Sequence, residues 1–393
     1  MPRTRASLRA KTHEKVSLMK IKRILKRILK WTSVGILLAL FVGIILLFIA
    51  YWRSTNDCNQ MTAAQGDTMK AIVYCDYGSP DVLKLVDIAK PVPNDNQVLV
   101  KVRAASVNPY DWHFIRGTPY IMRLGIGLRK PKVTRIGVDF AGMVEAVGKN
   151  VTQFKPGDEV FGGKTGAFAE YVCVSEKGVV LKPANITFEQ AGSVDIAGLT
   201  ALQAVRDKAK AQPGQKILIN GASGGVGTFA VQIAKSFGAD VTGVCSTRNL
   251  DMVRSLGADH VIDYTKEDFT KSGQRYDVIL DNVGTQPLLS VRRALIPKGK
   301  YVMIGGGGTT DQGLIGPLFR PIKAMLLSPF VSQEMGMMMS NPTQNDMTML
   351  ADLMQSGKVT PVIDRRYKLS EVPEAMRYLE AGHARGKVVI TLE

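Results

Sequence analysis

Lys216-Ile217-Leu218-Ile219-Asn220 runs straight into Gly221-Ala222-Ser223-Gly224-Gly225-Val226-Gly227, and the reading of this stretch decides the fold. The first five residues form a buried-strand pattern, and the periodicity beyond the glycines predicts a helix over 226–237. Set against the spacing G-x-G-x-x-G, Ala222 stands at the first glycine position and Gly224 and Gly227 at the other two. A glycine at 224 lets backbone approach a pyrophosphate, and one at 227 lets the helix lie close to the strand. The helix then points its free N–H groups and positive dipole end at the phosphates. Strand, turn, helix and next strand follow in the required order, so Ala222, Ser223, Gly224, Gly225, Val226 and Gly227 are the expected dinucleotide-binding residues.

Working outward, DVTGVC (240–245), HVIDY (260–264), YDVILDNV (276–283) and KYVMIGG (300–306) are apolar strands alternating with helical stretches. That alternation predicts a doubly wound parallel sheet covered on both faces, here over 187–335. Thr187, three residues before Gln190, opens it with a capping-box spacing. Residues 69–186 read instead as short strands with turn signals, among them VLVKVRAASV at 98–107. The mixed tail, 336–393, is assigned back to that β-rich domain. Between the two, Leu314 to Met339 is apolar and Met-rich but broken by Pro317, Pro321 and Pro329. It is therefore no membrane span; packing at a subunit contact or sheet edge is the first reading, and a substrate-lining or membrane-touching loop the second.

The end of the second strand bears on cofactor choice, because an acid there would bind the ribose 2′-OH of NAD. Cys245-Ser246-Thr247-Arg248 occupies the place without an acid. The Ser246 hydroxyl and the Arg248 guanidinium suit a 2′-phosphate, so NADPH is the expected cofactor. Asn282, Val283 and Gly284 follow a buried strand at its C-terminal end, where ligands of such sheets lie.

The formal charge of +17 is lopsided: residues 1–60 hold 12 Lys/Arg against Glu14 and Asp57. These cations flank an uncharged run from Val34 to Trp52, long enough to cross a bilayer and closed by Tyr51-Trp52. An uncleaved anchor over 34–52 is expected, preceded by a basic segment (1–33) and followed by a linker (53–68). A basic amphipathic helix over Met19–Lys30 would suit an anionic leaflet. The positive-inside rule puts the enzyme outside the cytoplasm, whereas reduced nucleotide is found inside. Reverse insertion, an interfacial placement, or a true start at Met69 would each resolve this, and a cytosolic catalytic domain is the expectation. With the basic residues beside an apolar span and no recognition motif, a nucleic-acid role is not expected. Cys58, Cys75, Cys173 and Cys245 contain no short-spaced pair, so no disulfide framework or zinc lobe is expected and none is given a role.

The sequence resembles the medium-chain dehydrogenase/reductase superfamily, in its zinc-independent, zeta-crystallin-like quinone oxidoreductase branch, near the mitochondrial reticulon-interacting oxidoreductase group. The resemblance is carried by Ala105–Asp111, Gly137–Gly142, Phe154–Val160, Gly166–Tyr171, Gly198–Ala201, Asp281–Gly284 and Gly386-Lys387, in order. It implies a GroES-like β-rich catalytic domain, a Rossmann-type nucleotide domain and a homodimer. It also places Asn108, Asp111 and Thr200 near the nicotinamide and Lys387 in the cofactor site.

Where zinc-dependent members of that superfamily carry a cysteine and a Gly-His-Glu motif, this chain has Asn108 and Val138-Asp139. Those residues offer no thiolate or imidazole, so no metal is expected. The implied chemistry is hydride transfer from NADPH to a quinone or an α,β-unsaturated carbonyl. Asn108 would hydrogen-bond the acceptor oxygen, and Tyr110 or His113 would donate a proton. The alternatives are a zinc-independent alcohol or aldehyde reductase and a membrane-tethered NADPH-binding sensor or assembly factor without turnover.

Overall fold

The computed structural model describes residues 26, 29–33, 35–36, 38–56, 58, 66–305 and 313–392. The basic stretch over 19–25 and most of the linker expected over 53–68 lie outside them. The chain divides into two compact units, Met1–Ser54 and Thr55–Glu393. The first is built on one apolar helix, Leu29–Trp52, of 24 residues and mean hydropathy 2.9. It starts earlier than the expected Val34 and is, by length and composition, able to cross a membrane.

In the second unit, β1 (Thr68–Val73) and β2 (Lys84–Ala89) form an antiparallel pair. The catalytic lobe is a larger sheet of β3 (Gln97–Val107), β4 (Asp139–Val147), β5 (Glu159–Gly163), β6 (Tyr171–Ser175) and β7 (Val179–Leu181). The nucleotide lobe contains β8 (Lys216–Asn220), β9 (Asp240–Cys245), β10 (His260–Asp263), β11 (Tyr276–Asp281), β12 (Leu295–Met303) and β13 (Glu334–Met337). Its order, β10-β9-β8-β11-β12-β13, is parallel throughout, so the chain reverses direction of growth at β8. That reversal opens a crevice beyond the C-terminal ends of β8 and β11. Ile217, Leu218, Ile219, Ile279 and Leu280 are fully buried, as strands covered on both faces require.

The tail adds β14 (Ile363–Lys368) and β15 (Lys387–Thr391), and β15 pairs antiparallel with β3. The last strand thus joins the sheet that contains β3. The boundary expected at 335 is displaced in two ways. Strand β13 keeps the nucleotide sheet running to Met337, and the helix Gln344–Gln355 packs Met347, Leu350 and Met354 into the core that also holds Ile217, Ile219 and Phe229.

One expectation is corrected outright. Cys58 and Cys75, 17 positions apart, form a disulfide that pins the start of the linker to the residue pair beyond β1. Asn56 Nδ2 donates to Cys75 O at 2.7 Å beside it. Sequence spacing missed the pair because 17 positions separate the two cysteines, too far apart to read as a short-spaced pair. Cys173 and Cys245 remain free thiols on β6 and β9.

Candidate functional site

The turn after β8 is made by Gly221, whose φ of +76° only glycine adopts without strain, and not by Ala222 as the motif spacing suggested. Ala222 is fully buried. Gly224 caps the helix Gly225–Ser236 without a side-chain bond, so the backbone N–H groups of Gly225, Val226 and Gly227 have no partner within the helix. A Cβ on Gly227 would lie 2.1 Å from Gly221 O, so helix and turn touch backbone to backbone there. A Cβ on Gly224 would meet nothing nearer than 3.5 Å, which leaves open space over the helix start. This cradle fits a phosphate ester.

At the end of β9, Asn249 Nδ2 donates to both Ser223 Oγ and Ser246 Oγ at 3.1 Å. Asn249 is buried and its Oδ1 has no partner among the described residues. It ties the turn after β8 to the end of β9, and the sequence reading missed it. Thr247 Oγ1 donates to Asp263 Oδ2 at 2.5 Å, while Ser246 is half-buried and Arg248 exposed. The Arg248 guanidinium donates to His383 O at 2.7 Å, across to the catalytic lobe.

Asp281 organises the other side of the crevice. Its Oδ1 accepts from Asn220 Nδ2 (2.8 Å) and from the backbone N–H groups of Val283 (3.1 Å) and Gly284 (2.9 Å). Its Oδ2 accepts the Tyr301 hydroxyl at 2.6 Å. Burial and the Asp281 carboxylate push the Tyr301 phenol far above its usual range, so it stays a donor. Arg320 closes the group, donating to Tyr301 Oη at 2.6 Å and to Gly284 O at 2.8 Å. Asn282 Nδ2 donates to Asn220 O, while its buried Oδ1 has no partner among the described residues. An unmet buried acceptor beside the crevice fits a ligand carrying an N–H, as a carboxamide does.

Across from this turn lies a buried polar cluster. The Lys387 ammonium, 2% exposed, donates to Asn108 Oδ1 at 2.5 Å and to Asp139 Oδ2 at 3.0 Å. Asp139 also accepts the Ser106 hydroxyl (2.6 Å) and the Ile196 N–H (3.0 Å). Asn108 Nδ2 donates to Ser106 O at 3.3 Å. The stem of Lys387 runs past the helix start, its Cδ lying 3.4 Å from where a Gly225 Cβ would be. Lys387 is therefore not a phosphate ligand here; it joins the cradle to Asn108. Asp195 lies beside the cluster, where burial and the neighbouring Asp139 carboxylate push its carboxyl upward.

The remaining expected residues divide. Asp111 is committed to the backbone, accepting from Asn108 N (2.8 Å) and Gly137 N (3.1 Å), and burial pushes its carboxyl up to about 7. It shapes the start of the helix Pro109–Arg116 and holds Asn108 in place. Tyr110 is 40% exposed and stacks on Phe114, and burial of the phenol raises it above its usual value. His113 spends Nδ1 on Thr118 O at 2.7 Å, lies against Trp112, and is pushed down by burial. A neutral ring already committed to backbone is a poor proton donor. Thr200 sits half-buried in the helix Asp195–Gln203.

Among the described residues, no three His, Cys, Asp or Glu side chains gather as a metal-binding group. Asn108, at the place of the zinc-binding cysteine, and Asp139, at the place of the glutamate of Gly-His-Glu, both engage an ammonium.

Comparison with known proteins agrees with this architecture. Residues 94–184 match the alcohol dehydrogenase GroES-like domain and residues 256–390 the family described as zinc-binding dehydrogenase. A 2-methylene-furan-3-one reductase of Solanum lycopersicum is 39% identical, over 82% of this chain and 79% of its own. The mitochondrial NAD(P)H oxidoreductase RTN4IP1 of Homo sapiens is 35% identical, over 88% of this chain and 96% of its own. Among solved structures, a quinone oxidoreductase from Coxiella burnetii superposes with a TM-score of 0.73 at 32% identity, covering 83% of this chain and all of that one. With both lobes, the phosphate cradle and relatives matched over most of their length, this chain belongs to the medium-chain dehydrogenase/reductase superfamily of oxidoreductases.

Proposed function

We propose that the protein reduces a quinone or an α,β-unsaturated carbonyl with NADPH and without a metal. The observation that carries this reading is the pairing of a phosphate cradle with a buried, ammonium-held Asn108 at the opposite wall of one crevice. Bound nucleotide supplies the hydride. The chain's own part is positioning and charge. Gly224 to Gly227 hold the pyrophosphate, Ser246 and Arg248 meet the 2′-phosphate, and Asn282 to Gly284 hold the carboxamide end. Lys387 fixes the Asn108 amide with Oδ1 inward. Its Nδ2 is then directed away from the ammonium, one N–H going to Ser106 O and the other remaining for an oxyanion. Tyr110, exposed at the same helix start and held protonated by its surroundings, supplies the proton to the reduced acceptor. The metal-free donor set supports a quinone or enone over an alcohol, whose oxidation by zinc enzymes needs a Lewis acid.

A homodimer belongs to this reading, supported by the open edge of β13. The helix Leu29–Trp52 supports membrane attachment. Cofactor supply argues for a cytosolic catalytic unit, whereas the basic flank and the Cys58–Cys75 cross-link argue for the oxidising face. Thiol labelling of intact cells separates the two.

Stopped-flow oxidation of NADPH and NADH with a naphthoquinone, an enone and an aliphatic aldehyde tests the function. Turnover of the first two acceptors with NADPH, unchanged by a chelator, is expected. Preference for NADH would overturn the assignment of Ser246 and Arg248, and absence of nucleotide affinity would overturn the whole.

A further inference from the structure

The helix Phe319–Leu327 is inverted relative to an ordinary surface helix. Its buried contact is Ala324, and Arg320 reaches inward to Tyr301 and Gly284, while Phe319, Met325 and Leu326 are 51%, 66% and 66% exposed. Phe330, in the turn that follows, is 83% exposed. The two segments meet where Ile121 N donates to Leu314 O at 3.1 Å, and Ile121, Leu124 and Leu314 are themselves exposed. This much contiguous apolar surface on a folded unit marks an interaction face.

Three further observations say what covers it. The two segments that carry the patch, residues 112–138 and 313–333, hold eight Lys/Arg and no Asp or Glu. Apolar side chains on segments whose own charged residues are all cations match the interface of an anionic bilayer. The chain also enters the catalytic unit beside this face. Cys58 is cross-linked to Cys75, Tyr77 Oη donates to Gly127 O at 2.6 Å, and Lys130 pairs with Asp76 at 3.2 Å. Finally, the apolar helix ends at Trp52, six positions before Cys58. Extended chain covers at most about 3.6 Å per residue, so these few positions make only a short tether.

We propose that residues 119–126 and 319–330 form a second membrane contact, seated on the bilayer that holds the N-terminal helix. The nicotinamide end of the crevice, tied to the same helix through Arg320, then opens toward the lipid. Acceptors dissolved in the bilayer, such as a quinone with an isoprenoid tail, reach it without crossing water. This rests on the anchor and on the hydride-transfer function proposed above.

The test uses the full chain in nanodiscs, with about a third anionic phosphatidylglycerol or with phosphatidylcholine alone. Hydrogen exchange is expected to slow at 119–126 and 319–330 in the anionic discs. Leu124→Asp and Leu326→Asp are expected to lower kcat/KM for a bilayer-dissolved isoprenoid quinone about tenfold and leave a water-soluble naphthoquinone unchanged. A chain that stays out of the discs would overturn anchor and face together. Entry without protection would overturn the face alone, as would variants that halve the particle mass in light scattering, since a second copy would then be the occupant. Protection without turnover of either quinone would sustain the contact and overturn the hydride-transfer reading and acceptor delivery with it.

Discussion

The Lys387 ammonium on the last strand lies 2.5 Å from Asn108 Oδ1, 279 positions earlier in the chain. Neither partner has access to water, and both share Asp139 through one network. Lys387→Met removes the cation and leaves a buried carboxylate unpaired. A loss of about 3–5 kcal/mol in urea unfolding is expected. Where the variant still folds, kcat should fall much more than KM for nucleotide rises, since the cradle does not use the ammonium. Equal effects on both would place Lys387 in nucleotide binding after all.

Gly224→Ala separates folding from binding. The added methyl meets only open space, and φ −85° suits any residue, so thermal stability should change little. The methyl occupies the approach of a phosphate, so Kd for NADPH should rise by at least about tenfold in fluorescence titration. Gly227→Ala, by contrast, meets Gly221 O at 2.1 Å and is expected to lose stability as well.

Arg320 reaches the turn after β11 from outside the nucleotide sheet. Arg320→Ala frees Gly284 O and leaves Tyr301 without a cation, while the Asp281 bonds to Val283 and Gly284 remain. A KM for NADPH raised about tenfold, with kcat nearly kept, is the expected result in steady-state kinetics.

Asp111 gives a pH signature of defined sign. Its carboxyl is raised to about 7 in the fold, against an ordinary value near 4 in the unfolded chain. The folded state therefore holds an extra proton between those values, and stability falls as pH rises from about 4 to about 7. Urea midpoints measured across that range should slope downward in the wild type. In Asp111→Asn the slope should flatten, with the amide still able to accept one backbone N–H.

The Cys58–Cys75 cross-link closes a loop of 17 positions. For such a loop the unfolded-chain entropy argument gives about 3 kcal/mol. Cys58→Ser should lose stability on that order, and adding reductant should affect the wild type but not the variant.

Local patterns were legible and distant meetings were not. GASGGVG could be read because strand, turn and helix are neighbours in sequence and each imposes a requirement on its own backbone. The capping box at Thr187 and the strands from 216 to 303 were readable for the same reason. The Asn108 to Asp111 spacing also carried a cap signal, yet it was read as chemistry; the carboxylate turned out to serve two backbone N–H groups. Lys387 was matched to the cofactor from the residues around it, while its partner, 279 positions away in sequence, directly follows the neighbouring strand β3. Arg320 lay in an apolar stretch read only as packing at a subunit contact or sheet edge, or as a loop. No periodicity announces that it would bond to a tyrosine on β12.

The bond from Arg248 to His383 O carries one more consequence. A single guanidinium that clasps the neighbouring lobe cannot at the same time embrace a phosphate in the same orientation. Arrival of a phosphorylated ribose would undo this clasp, whereas an unphosphorylated one would leave it fastened. Under the proposed NADPH assignment, nucleotide discrimination and the loosening of one lobe from the other belong to the same side chain.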